Sequence, residues 1–145
     1  MEWLSYIILA WFMVSSMARP CTPKDGPGEV YLFFIKDAQG RYVVKIGESV
    51  QPKERKSQWN RKCWPEEHEW FAYTIHVPKR KRMEAYLHQW ATLRGAWLGR
   101  VECKFCHTRH QEKFYLDACG GIKEIIEAAE YIAYLKGWTY NWRKL

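Results

Sequence analysis

The 145-residue chain lacks internal repeats, which leaves no reading as a repeat array. It also lacks an apolar run of the roughly 20 residues that a membrane-spanning helix needs. The longest apolar stretch, "WLSYIILAWFMVSSMA" near the start, stops short of that length and has no Lys or Arg before it. Its five cysteines (Cys21, Cys63, Cys103, Cys106 and Cys119) are odd in number, which excludes a complete disulfide framework. They fit reduced thiols or a metal site instead. Asparagine is scarce: Asn60 and Asn141 are the two in the chain.

Apolar residues, in contrast, are plentiful. A hydrophobic content of 48% and nine tryptophans exclude a disordered chain and suffice for one domain with a modest core. The net charge of +7 is unevenly placed. Residues 41–113 hold 16 of the 23 Lys and Arg but 8 of the 16 Asp and Glu, so the whole excess of positive charge lies mid-chain. Such a field favours a polyanion, nucleic acid first and an acidic membrane surface after it, with a merely solvated basic face as the plain alternative.

Composition divides the chain into an apolar segment (1–18), a linker "RPCTPKDGPG" (19–28), a folded domain (29–137) and a short aromatic and basic tail (138–145). Three readings of the first segment stand open: a signal or membrane anchor with Ser16-Met17-Ala18 as a cleavage site, an extension ahead of a true start at Met17, or a packed helix. Membrane association follows only if the segment is retained as an anchor. Within the domain, "EVYLFFIK", "RYVVKIG", "WFAYTIHV" and "EKFYLD" read as strands, rich in β-branched and aromatic residues. "DAQG" between the first two is a hairpin turn. Residues 52–63, 79–94 and 121–137 read as helices, the first with Pro at its start, the last ended by Gly137. Met83, Tyr86, Leu87 and Trp90 form the apolar face of the second helix; Ile122, Ile125, Ile126, Ala129 and Ala133 form that of the third. The order β-β-α-β-α-β-α predicts an α+β fold, a small mixed or antiparallel sheet with helices packed on it.

Residues suited to phosphodiester chemistry are spread over these elements. Tyr31 stands on the first strand, Lys45 near the end of the second beside Gly47, Arg55 on the first helix, and Glu84 and His88 one turn apart on the second. Hydrolysis of a phosphodiester needs a base or nucleophile, neutralisation of charge on phosphorus, a metal and a proton for the leaving oxygen. Tyr, Arg, Glu with Mg²⁺ or Mn²⁺, and Lys or His can supply them. Lys53, Lys56, Arg61 and Lys62 on the first helix, with Arg80, Lys81 and Arg82 on the second, are candidate nucleic-acid contacts. Each residue alone also has a plain role: packing for the tyrosine, ion pairing for the glutamate.

Taken together, "GEVYLFF", "YVVKIGES", Arg55, "MEAYLHQW" and "EKFYL" resemble the GIY-YIG nuclease superfamily, in particular its phage-type DNA-binding branch with a Lys-Ile-Gly second motif. The resemblance covers residues 28–136. It implies that Tyr31 is the base or base-activating phenol, that Arg55 faces the scissile phosphate, and that Glu84 is the one protein ligand of a divalent metal, with DNA as substrate and no small-molecule cofactor. The chain departs from that pattern at Lys45, where the superfamily has tyrosine, at Trp59, where members often carry His or Tyr, and in having no counterpart to a late asparagine. Residues 138–145 are too short for a target-recognition domain, so strong sequence specificity is expected to come from a protein partner.

"ECKFCHTRH" stands apart. Cys103, Cys106 and His110 have workable spacing for a structural zinc, with His107 as alternative and Cys119 or Cys63 as fourth ligand. Cys103-x-x-Cys106-His107 also has the pattern of c-type haem attachment. Three functions follow: a metal-dependent DNA endonuclease, a DNA-binding module of the same fold without chemistry, and a secreted redox or haem protein.

Overall fold

A computed structural model describes residues 3, 4, 7, 8, 11, 23–62, 69–99, 101–102, 109–110 and 113–145. Strand β1 (Gly28–Lys36) and strand β2 (Tyr42–Ser49) pair antiparallel over eight residues, from Glu29 with Ser49 to Lys36 with Tyr42. The turn between them is held by the Asp37 carboxylate, which accepts the N–H groups of Gln39 and Arg41 at 3.0 and 2.8 Å. Gly40 takes the left-handed φ of +78° that the turn requires.

Beyond the hairpin come helix α1 (Pro52–Lys62), strands β3 (Glu69–Trp70) and β4 (Tyr73–Val77), and helix α2 (Arg80–Leu93). A two-stranded ribbon, β5 (Val101–Glu102) with β6 (Arg109–His110), precedes β7 (Lys113–Tyr115). Helices α3 (Leu116–Cys119) and α4 (Ile122–Lys136) and strand β8 (Asn141–Lys144) complete the chain. The main sheet runs β7-β2-β1-β4-β8, with β3 also on β1, and every pairing is antiparallel. The α+β class with helices on an antiparallel sheet is therefore the fold found.

Three elements differ from expectation. The third strand is broken into β3 and β4 at Phe71, whose N–H still reaches the Leu32 carbonyl. "EKFYLD" is strand only to Tyr115; Leu116 begins α3, and Gly120 and Gly121, both at positive φ, separate it from α4. The tail is not patternless: β8 extends the sheet beyond β4, and Tyr140 and Trp142 both donate hydrogen bonds to Glu130 Oε2 of α4, at 3.0 and 3.2 Å.

Because side chains alternate across a strand, the hairpin feeds two cores. Val30, Leu32, Phe34, Val44 and Ile46 face α2 and α4, where Met83, Tyr86, Leu87, Trp90, Ile125, Ala129 and Ile132 are buried. The apolar face of α2 is thus the expected one; that of α4 is rotated toward Ala128 and Ile132, with Ile126 at its margin. Tyr31, Phe33, Ile35 and Val43 face the other way, under Trp59 of α1 and Trp70 of β3.

The stretch read as a linker holds α2 in place. The Asp25 carboxylate accepts the N–H groups of Lys81 and Arg82 at 2.9 and 3.2 Å, so a residue 56 positions upstream caps the helix that has no cap of its own. Of the N-terminal segment, the five described residues are helical, and Trp3 and Ile7 face Glu127 and Tyr131 of α4 across a cavity of about 510 Å³. No helix among the described residues is long and apolar enough to cross a membrane.

Asp25→Ala is expected to lower unfolding free energy by about 1 kcal/mol, the usual worth of an N-cap side chain, with Asp25→Asn retaining most of it. Urea denaturation of the two variants measures this.

Candidate active site

The site grows from the register of the hairpin. Tyr31 lies opposite Gly47 and Phe33 opposite Lys45, all on the α1 side of the sheet. The Tyr31 ring lies across Gly47 so closely that a Cβ there would fall inside the phenol. Gly47 is not among the glycines at positive φ. Its purpose is room for the tyrosine, not a turn.

Tyr31 is 1% exposed, tilted against Trp70 at 5.3 Å. Its hydroxyl oxygen accepts the Trp59 Nε1–H at 3.3 Å, and the nearby Arg55 guanidinium favours its ionised form. Burial nevertheless prevails and pushes the phenol above its ordinary value. Trp59 is thus a donor to the tyrosine, packs edge-on against Phe33 and offers its ring face to Lys45 Nζ at 5.3 Å. Arg55 is otherwise exposed, with Nη1 bonded to Gln58 Oε1 at 3.3 Å.

Glu84 and His88 reach the same strand from α2. Strand β7 pairs with β2 only from Val43 to Lys45. Beyond it, α2 side chains approach the backbone of β2: the Glu48 N–H favours the charged form of Glu84, and His88 Nε2 lies 2.7 Å from the Ile46 carbonyl. A carbonyl can only accept, so Nε2 carries the hydrogen and Nδ1 presents its lone pair to Glu84 Oε1, 4.0 Å away. Burial holds His88 down to about 4, so the ring is neutral. Burial likewise pushes the Glu84 carboxyl up and the 2%-exposed Lys45 amine down, and the opposite charge of each partner counters part of that shift. The structure therefore brings Tyr31, Lys45, Arg55, Glu84 and His88 to one end of β2.

The basic candidates divide. Arg80 Nε and Lys81 Nζ pair with Glu48 at 2.7 and 3.2 Å, and Arg82 reaches the Tyr86 hydroxyl at 3.2 Å. Arg80 also packs against Gly28, where a Cβ would strike its side chain. These three have internal duties. On α1, Lys53 and Arg61 project into solvent and Lys56 is half-buried; the side chain of Lys62 lies outside the described residues.

As a cation site, the Glu84 carboxylate and the neighbouring His88 Nδ1 lone pair offer one hard oxygen donor and one nitrogen. This donor set fits a divalent ion whose remaining ligands are water and phosphate. Among the described residues no three His, Cys, Asp or Glu side chains form a cluster. For zinc, Cys63, Cys103, Cys106, His107 and the side chain of His110 lie outside the described residues. Cys119 is fully buried in the main core, in no disulfide, with burial pushing its thiol up to about 12.

Sequence reasoning missed Lys113, which is 5% exposed and directly opposite Lys45 on β7. The sequence signal was slight: a lysine next to Phe114 at the start of the short run KFY. It also missed the donor role of Trp59, which only the tertiary arrangement reveals.

Gly47→Ala should displace the Tyr31 ring and lower stability by about 1–3 kcal/mol, as overpacking does, detectable in urea melts and in the near-ultraviolet spectrum. His88→Gln retains a donor for the Ile46 carbonyl without titrating. A histidine whose value is lowered from 6.5 to about 4 on folding binds fewer protons folded than unfolded, so it removes stability as pH falls through that window. The variant should therefore gain on the wild type between pH 6.5 and 4, as read from urea midpoints across that range.

No curated protein and no solved structure matches this chain. A family model does, over residues 28–133, from the first residue of β1 into α4. That span contains every residue of the cluster just described and omits β8. The chain belongs to the T5orf172 domain family, which is related to nuclease-type domains of phage.

Proposed function

We propose that the protein is a metal-dependent DNA endonuclease that hydrolyses phosphodiester bonds at the Tyr31–Arg55–Glu84 cluster. The observation that carries the reading is the convergence, at one end of β2, of a phenol, a guanidinium, a carboxylate and a buried amine from four separate elements. The basic face of α1 and the family's relation to nuclease-type domains support DNA as partner.

In this reading water attacks phosphorus, the bond to one ester oxygen breaks, and that oxygen takes a proton. Arg55, exposed above the phenol, neutralises charge on the phosphate oxygens. Glu84, with His88 beside it, would hold Mg²⁺ or Mn²⁺, which when bound would supply Lewis-acid polarisation of the phosphate. Lys45, its amine drawn toward neutrality by burial, exchanges a proton near physiological pH. Tyr31 remains a protonated hydroxyl at that pH, its oxygen fixed by Trp59, and orients the water through its own O–H. A specificity-conferring protein partner belongs to this reading, as does a structural zinc at the Cys103–His110 segment.

A second reading is a DNA-binding module without chemistry. The 1% exposure of Tyr31, capped by the Trp59 N–H, favours it, since a buried phenol does not touch substrate in this conformation.

Nicking of supercoiled plasmid with Mg²⁺ or Mn²⁺ separates the two. The endonuclease reading predicts metal-dependent nicking, lost with Glu84→Gln and reduced about 10²- to 10³-fold in Arg55→Ala. Absence of nicking in all variants, with salt-sensitive DNA binding retained, establishes the binding module.

A further inference from the structure

A cavity of about 460 Å³ opens between the sheet and the start of α1. Glu29, Thr74 and Arg143 line it from the sheet, and Lys53 and Glu54 line it from α1. Glu29 is the register partner of His76, and Thr74 that of Arg143, so these residues share the sheet face that carries Tyr31. Glu29 is the buried acid among them, at 7% exposure. Its Oε1 accepts Arg143 Nη1 at 3.1 Å and lies 3.4 Å from His76 Nδ1. The Arg143 side chain is 48% exposed. An ion pair so open to water contributes little to stability. What it does fix is direction, since a guanidinium is a flat fork of five N–H donors whose shape matches two phosphate oxygens.

The cavity adjoins the candidate active site. Glu29 precedes Tyr31 by two residues on one face of β1, about 7 Å along the strand. Helix α1 spans both places, with Lys53 at the cavity and Arg55 near the phenol. Arg143, Lys53 and Arg55 therefore form a row of cations from β8 to Tyr31, with Glu29 and Glu54 as the acids along it. Arg143 lies beyond residues 28–133, the span that the family model matches. We propose that this cavity is a phosphate-binding subsite, in which Arg143 and Lys53 hold a backbone phosphate of the DNA strand flanking the one that faces Arg55. The proposal deepens the DNA reading above and rests on it. It gives β8 a function: the strand that closes the sheet edge also delivers a cation to the Tyr31 face, and Glu29 aims it.

The test is the salt dependence of duplex oligonucleotide binding, measured without divalent metal so that cleavage plays no part. Each phosphate neutralised contributes about 0.9 to the slope of log K against log salt. Arg143→Gln should weaken binding about tenfold, the worth of one charge-assisted contact, and lower that slope by about one. Arg143→Lys should keep the slope. Glu29→Gln, which removes the negative charge beside the phosphate, should tighten binding. Opposite signs for these two substitutions are the signature of a bound anion, because a purely structural Arg143–Glu29 pair would be broken alike by either. Lys123→Gln, which removes an exposed charge on α4, should leave the slope unchanged. Circular dichroism checks that each variant is folded. A wild-type slope in Arg143→Gln, or weaker binding in Glu29→Gln, overturns the subsite and leaves the DNA reading standing. An equal loss in Lys123→Gln overturns it too, since the effect is then that of the general field. If the wild-type protein binds no duplex, the subsite and the DNA reading fall together.

Discussion

The close approach of the Tyr31 ring to Gly47 is the contact on which the rest of the site depends. It fixes the hairpin register, because a slip of one residue would turn Tyr31 and Phe33 toward α2 and bring Val30 and Leu32 under α1. With the register set, Lys45 falls opposite Phe33 and beneath Trp59, and the backbone of Ile46 and Glu48 is offered to α2. His88 and Glu84 then answer those backbone groups. One missing methyl group thus couples a tyrosine on one face of the sheet to a carboxylate approaching from the other.

The same arrangement explains the ionisation pattern. An amine, a carboxyl and an imidazole are all moved by burial toward their neutral forms, because the end of β2 is walled by Trp59 and by α2. In water each would be at its ordinary charge at neutral pH. Here Lys45 and Glu84 hold one another partly ionised, while burial keeps His88 neutral. Groups with displaced ionisation gathered at one point suit proton transfer, which is the chemistry proposed.

What could be read from the sequence followed from local patterns. The first two strands, the apolar face of α2 and the Gly137 stop are set by alternation, by helical spacing and by the left-handed preference of glycine, all of which act within a few residues. The convergence of Tyr31, Arg55 and Glu84 was legible only through the resemblance, since nothing in the spacing of residues 31, 55 and 84 places them together. The remainder depended on partners far away in sequence. Asp25 caps a helix that begins at Arg80, and its segment read as a linker because proline and glycine dominate it. The tail became a strand because β4 offered an open edge and Glu130 offered an acceptor to Tyr140 and Trp142. Neither signal is local.

Lys45 and Trp59, which count against the resemblance in the sequence, take on a different aspect once placed in the structure. Trp59 cannot accept a proton, yet its N–H occupies the Tyr31 oxygen and its ring shelters Lys45. Lys45, in turn, lies buried beneath that ring. A lysine there brings charge into a buried place and is tolerable because Glu84 lies within its field and the Trp59 face attracts it. The two residues are therefore linked: the cation lies over the aromatic ring, and the ring is fixed by the phenol. Substituting either residue alone removes one half of a pair. The site is best understood as a phenol and an amine held together by an indole.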